Sequence, residues 1–145
     1  MISKDFKLPS WRKWIKLTDK KKIIEENTAL VQNETHRKKG VYVVRVSKSI
    51  ERVKGKSDIV YIGRGNLHQR VRRLLKLFPE RVTVNTKNQK VLFARTGLLS
   101  IVSHLNTDVW ITYKITDRYI QLEKDLLQKY RDDHIELPPL NRSST

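Results

Sequence analysis

The 145-residue chain reads as an α+β protein: a small three-stranded antiparallel sheet flanked by helices, with a helical N-terminal extension. Three observations predict this. Residues 41–46 and 59–62 are almost wholly apolar and β-branched, and are joined by a polar, glycine-containing connection, which is the composition of a hairpin. Residues 108–116 alternate Val109, Ile111, Tyr113 and Ile115 against Trp110, Thr112, Lys114 and Thr116, the period of a third strand with one face inward. Finally, Leu67, Val71, Leu74, Leu75 and Phe78 recur at the spacing of one helical face, directly after Gly63-Arg64-Gly65, which reads as a glycine-flanked turn.

Taken in order, residues 1–39 form a basic extension with a helix inside 10–30, anchored by Trp11, Trp14, Ile15, Ile23 and Ile24. Trp11 and Trp14 are three apart and share a helical face as packing residues. The run Lys20-Lys21-Lys22 is read as a solvated face. Residues 40–145 form the main domain, and a chain of this length buries roughly two-thirds of its unfolded surface. Between the first helix and the third strand, 81–84 is a short strand, 86–90 a polar loop and 96–105 a helix. The last helix starts near Asp117, a favourable cap residue, and runs to about Asp133, with Tyr119, Ile120, Leu126, Leu127 and Tyr130 as its apolar side chains.

Composition bounds the function. The chain carries 31 Lys and Arg against 15 Asp and Glu, a formal net charge of +16, which predicts a polyanionic partner. The excess is local: residues 37–76 hold thirteen Lys or Arg against Glu51 and Asp58, whereas residues 117–136 hold six acids and four bases. The absence of cysteine excludes disulfides, thiolate zinc sites and cysteine nucleophiles. The four histidines are at least thirty residues apart and share no metal-ligand spacing. No apolar run approaches the ~20 residues of a membrane span and the N-terminus lacks the apolar core of a signal peptide, so a cytoplasmic protein is expected. Gly55-Lys56-Ser57 mimics the end of a phosphate-binding loop, but the required glycine five residues earlier is Ile50, so it is read as a turn.

The candidate site begins with Tyr42 and Tyr61. Side-chain alternation puts Tyr42 with Val44 and Val46, and Tyr61 with Ile59 and Gly63, so antiparallel pairing brings both phenols to one surface. Arg70, one residue before Val71, flanks the buried stripe of the helix that follows, and His68 lies two residues earlier. Glu123 falls on the inward face of the last helix, four residues after Tyr119 and four before Leu127. Because desolvating a lone carboxylate costs several kcal/mol, Glu123 either meets an arginine as an ion pair or binds a metal ion.

Gly40-Val41-Tyr42, Tyr61-Ile62-Gly63, Arg70, Glu123 with Tyr130 seven residues later, and Pro138-Pro139-Leu140-Asn141 stand in the order of the GIY-YIG nucleases, which this chain resembles over residues 40–141. Val41 replaces the isoleucine of the first triplet. Leu74 stands where many members carry a second histidine or tyrosine after the arginine, and Arg64 where relatives often have a lysine. The resemblance implies a divalent-metal-dependent endonuclease acting on double-stranded DNA. Tyr42 is then general base or water-orienting group, aided by the cation of Arg64, with Tyr61 holding the water or a phosphate oxygen. Arg70 clamps the phosphate, Glu123 holds Mg²⁺ with Mn²⁺ accepted, and Asn141 braces the site. Lys38, Lys39, Arg64, Arg72, Arg73 and Lys76 take the DNA backbone, and His68 supports. A restriction-type role is slightly favoured, with pairing of two copies as the simple way to cut both strands. The alternatives are a non-catalytic basic nucleic-acid-binding protein whose tyrosines stack bases, or a repair or RNA-directed nuclease.

Overall fold

Four antiparallel strands carry the chain in the computed structural model, which describes residues 11, 14–16, 35, 37–75, 97, 98, 100, 101 and 104–141. They are β1 (Ile15–Lys16), β2 (Lys39–Glu51), β3 (Lys56–Asn66) and β4 (Val109–Ile115), in the spatial order β1-β4-β2-β3. Helix α1 (Leu67–Leu75) follows β3 directly, and α2 (Tyr119–His134) follows β4. Gly97, Leu98, Ser100, Ile101, His104 and Leu105 are also helical, in agreement with the helix expected over 96–105. The expected features at Lys20-Lys21-Lys22, Ile23, Ile24, Lys76, Phe78, 81–84 and 86–90 lie outside the described residues.

The antiparallel α+β architecture is the one expected, with one strand more. The additional strand, β1, comes from the extension read as helical: Ile15 pairs with Ile111 and Lys16 with Trp110. Two residues cannot announce a strand; the free edge of β4 makes it by accepting their backbone groups, and Ile15 is buried in the core as a result. The hairpin is longer than the apolar runs that predicted it. It closes at 52–55, where Arg52 N–H donates to Gly55 O at 2.9 Å and Gly55 adopts φ 70°; of the phosphate-loop mimic read as a turn, Gly55 lies in the turn while Lys56 and Ser57 already begin β3.

Both faces of the sheet are covered. Tyr42, Val44, Val46, Val60, Val109, Ile111 and Tyr113 form one core with Leu67, Val71 and Leu74 of α1 and with Leu98, while Val41, Val43, Ile59 and Ile62 form the other with Leu127 and Tyr130 of α2. This explains why Thr112, read as outward, is buried. Trp11 and Trp14 pack against the second core, as packing residues should. Two expectations for α2 fail: Ile120 is 43% exposed, and Asp117 does not cap the helix, because the helix starts at Tyr119 with Arg118 in the cap position and no side-chain cap. His134 instead completes the buried stripe, with its ring 4.5 Å from that of Tyr130 and Nδ1 at 2.8 Å from Lys54 O.

One charge is enclosed with the valines. Arg45, 1% exposed, lies between the rings of Trp14 and Trp110 at 4.8 and 4.9 Å, with Asp58 at 3.9 Å. Burial lowers its pKa, and Asp58 opposes that shift.

Candidate active site

The site is organised by the last four residues of β3. Gly63-Arg64-Gly65, expected to be a turn, continues the strand, and pairs with Tyr42, Val41 and Gly40 in turn. The glycines are there for clearance. A Cβ on Gly63 would strike Cζ of the Tyr42 ring and stand 2.5 Å from its hydroxyl and 2.7 Å from Cε1, so the phenol lies over this residue. Gly65, at φ 126°, leaves space that Arg70 uses: its Nε is 3.4 Å from where a Cβ would be. Gly40 is equally constrained, since a Cβ there would strike Lys114 O and come within 2.8 Å of Leu67 Cδ1. The glycines of both triplets are therefore packing requirements at this end of the sheet.

Tyr42 and Tyr61 do share a face, with ring centroids 5.8 Å apart and a 40° tilt. The route to that outcome differs from simple alternation. The ladder pairs Val44 with Tyr61 and then Arg45 with Ile59, so a bulge at Val60 puts Val60 and Tyr61 on one face and moves Ile59 to the other. Tyr42 is buried, and its pKa is raised well above 10. Desolvation is the main cause, followed by the charge and hydrogen bond of Tyr61; Arg70 pulls the value down and Glu123 adds to the rise. At neutral pH Tyr42 is thus a neutral phenol, a donor. The cation that favours its phenolate is Arg70 and not Arg64, which corrects the expected pairing.

Arg64 faces the opposite way because strand alternation turns it to the α2 side, where its Nε donates to Glu123 Oε1 at 3.0 Å. The Glu123 side chain is 9% exposed and that of Arg64 35%. Burial raises the Glu123 pKa, an effect opposed first by Arg64 and then by Lys124. Glu123 thus meets an arginine as an ion pair. Arg64, Val41 and Lys114 occupy one row across the sheet, and Lys39, on the same face, holds Nζ 5.8 Å from the centroid of the Tyr119 ring. Sequence reasoning missed Lys114; its signal was its position on the polar face of the alternating strand.

Asn141 reaches the free edge of β3. Its Oδ1 accepts from Ile62 N–H at 3.0 Å and its Nδ2 donates to Ile62 O at 2.8 Å, while Leu140 N–H donates to Val60 O at 3.0 Å. The C-terminal segment thus pairs with the edge like a short strand beside Gly63. Lys38, Lys39, Arg70, Arg72 and Arg73 are exposed, and His68 is half-buried next to Leu67, whose N–H donates to Lys38 O. Lys76 is outside the described residues. Among the described residues no three His, Cys, Asp or Glu side chains converge, so Glu123 is the carboxylate available to a cation at this site. Its donor set fits a hard divalent ion completed by water and phosphate oxygens, and its under-compensated burial is the environment such an ion would relieve.

Among the described residues no helix is long and apolar enough to cross a membrane. Comparison with family models, with curated proteins and with solved structures finds no match to this chain.

Proposed function

We propose that this protein is a divalent-metal-dependent endonuclease of the GIY-YIG type that hydrolyses phosphodiester bonds in double-stranded DNA. The observation that carries the reading is the convergence on the end of β3 of residues from distant parts of the sequence. Tyr42 lies over Gly63, Arg70 over Gly65, Glu123 on Arg64 and Asn141 on Ile62. Titratable groups brought within electrostatic reach of one another in this way are concentrated at functional sites.

In this reading Arg70, exposed on the first turn of α1, takes two oxygens of the scissile phosphate with its forked donors. Tyr42, held neutral, donates its single phenolic proton to Tyr61 and fixes it in place, and Tyr61 orients the attacking water or a non-bridging phosphate oxygen. Water forms the new P–O bond and gives up a proton to bulk solvent as the P–O3′ bond breaks and O3′ takes a proton from solvent, leaving a 5′-phosphate and a 3′-hydroxyl. Glu123 would hold Mg²⁺, or Mn²⁺ in its place; when bound, such an ion acidifies water and screens charge on the phosphate and the leaving oxygen. The exposed Lys38, Lys39, Arg72 and Arg73 follow the duplex backbone. Restriction-type cleavage by two copies on one site is the form we favour.

The Arg64–Glu123 ion pair also favours a second reading, a nucleic-acid-binding protein without catalysis. Supercoiled plasmid incubated with Mg²⁺ or Mn²⁺, with an EDTA control and the Glu123→Gln protein, separates the two. Nicked and linear products that require both metal and Glu123 support the nuclease; metal-independent retardation without cleavage supports the binding protein.

A further inference from the structure

Arg64 and Glu123 differ in how firmly each is held. The carboxylate is enclosed between α2 and the sheet, whereas about a third of the guanidinium side chain is open to solvent. The contact is made through Nε at 3.0 Å, so Arg64 approaches from the side. Arg64 meets the carboxylate from the sheet side, and the neighbouring Lys124 of α2 adds a second positive charge that acts on it. A divalent cation arriving at Glu123 in the absence of DNA competes with Arg64 for one carboxylate and meets positive charge on arrival.

We infer that Arg64 is a resident counter-ion that keeps a divalent cation off Glu123 until a DNA phosphate takes over its guanidinium. Arg64 is then a positioning residue that acts through Glu123. The inference rests on the metal-binding reading of Glu123. Its logic is an exchange of partners: the guanidinium trades a carboxylate for a phosphate, both planar or forked acceptors, and the carboxylate trades a guanidinium for a metal ion. No charge is left without a partner at either end of the exchange. Metal and DNA therefore bind with positive coupling, and each raises the affinity for the other by the same factor.

The test uses the full chain without DNA and Mn²⁺ as the probe, with free Mn²⁺ read by electron paramagnetic resonance. Arg64→Gln should bind one Mn²⁺ tighter than wild type by about tenfold or more, the factor that corresponds to removing ~1.4 kcal/mol of competition. Arg64→Lys retains the charge and should stay within about threefold of wild type, which separates charge from shape. Adding Glu123→Gln to Arg64→Gln should abolish the gain. If Arg64→Gln binds Mn²⁺ no tighter than wild type while Glu123→Gln weakens it, the counter-ion role is overturned and the metal reading stands. If Mn²⁺ binding ignores Glu123 in every background, the metal reading fails and the inference with it. In EDTA, binding of a labelled duplex read by fluorescence anisotropy supplies the other half. Arg64→Gln should weaken the Glu123→Gln protein about threefold more than it weakens wild type, because only there is the guanidinium already released for phosphate. Equal losses in the two backgrounds would overturn the exchange.

Discussion

Replacing Glu123 with Gln should remove catalysis while leaving the fold as stable as before, and the structure says why. Breaking a fully buried ion pair by deleting one member costs about 3–5 kcal/mol, because the remaining charge is stranded. Here the remaining member is Arg64, whose side chain is 35% exposed, so it can return to water. The lost attraction is therefore closer to the 0–1 kcal/mol of a surface pair, and it is offset by no longer burying a carboxylate that is 9% exposed. The net change at neutral pH should fall within about 1 kcal/mol of zero, a shift of less than ~1 M in the urea midpoint. The pH dependence carries the sign. Burial raises the Glu123 pKa, so the folded state binds a proton that the unfolded chain has already released. The stability this proton contributes is fully present below the ordinary glutamate range and is lost as pH rises through the raised folded value. Wild type should therefore lose stability relative to Glu123→Gln between roughly pH 4 and the raised value, read by urea denaturation of both proteins at several pH values. A wild type that instead gains on the mutant over this window would show that Arg64 outweighs desolvation and would refute the reasoning. Cleavage of supercoiled plasmid should fall by about 10²-fold or more in the same mutant, the scale of losing several kcal/mol of transition-state stabilisation.

Tyr42→Phe should retain the fold at a cost of about 0.5–1.5 kcal/mol for the lost hydrogen bond to Tyr61, with plasmid cleavage strongly reduced; an unfolded variant by circular dichroism would mean the phenol is chiefly a core group. Gly63→Ala places a methyl against the Tyr42 hydroxyl and ring and should cost about 1–3 kcal/mol in urea denaturation, with an altered near-ultraviolet tyrosine signal. Asn141→Ala removes both side-chain hydrogen bonds to Ile62; it should cost about 1–3 kcal/mol and speed amide exchange at Ile62, and unchanged exchange would remove Asn141 from the strand edge.

What the sequence disclosed depends on how local each feature is. The valine and isoleucine runs of β2 and β3, the existence of β4 and the burial of Leu67, Val71 and Leu74 on α1 are short-range patterns that appear where expected, whereas on β4 Ile115, read as inward, is 45% exposed. The features that were hidden depend on a partner elsewhere in the chain. β1 exists because β4 has a free edge, the bulge at Val60 exists because of the ladder with β2, and Arg45 is tolerated among valines because Trp14, Trp110 and Asp58 converge on it. Gly63-Arg64-Gly65 misled for a specific reason: glycines usually mark a change of direction, and here they mark close approach by Tyr42 and Arg70. At the site, the shared face of the two tyrosines and the inward position of Glu123 were legible, whereas the choice of Arg64 as its partner required the strand to continue through the glycines.

That continuation gives the three residues two separable tasks. Neighbours along a strand point to opposite faces, so Gly63 and Gly65 clear the α1 side for Tyr42 and Arg70 while Arg64, between them, serves the α2 side. The phenols and the carboxylate are thus assembled from opposite faces and meet only around the end of β3. Substitutions should divide accordingly: Gly63→Ala displaces Tyr42 and leaves the Arg64–Glu123 contact in place, whereas Arg64→Gln frees Glu123 and leaves the tyrosine pair undisturbed. Asn141 belongs to neither half, since it grips the backbone of Ile62 immediately before the point where the two diverge. A perturbation there should disturb both halves together. Tyrosine fluorescence and Mn²⁺ affinity should therefore change in parallel in Asn141→Ala and independently in the other two variants; independent responses in Asn141→Ala would mean that the two faces are not held by a common strand end.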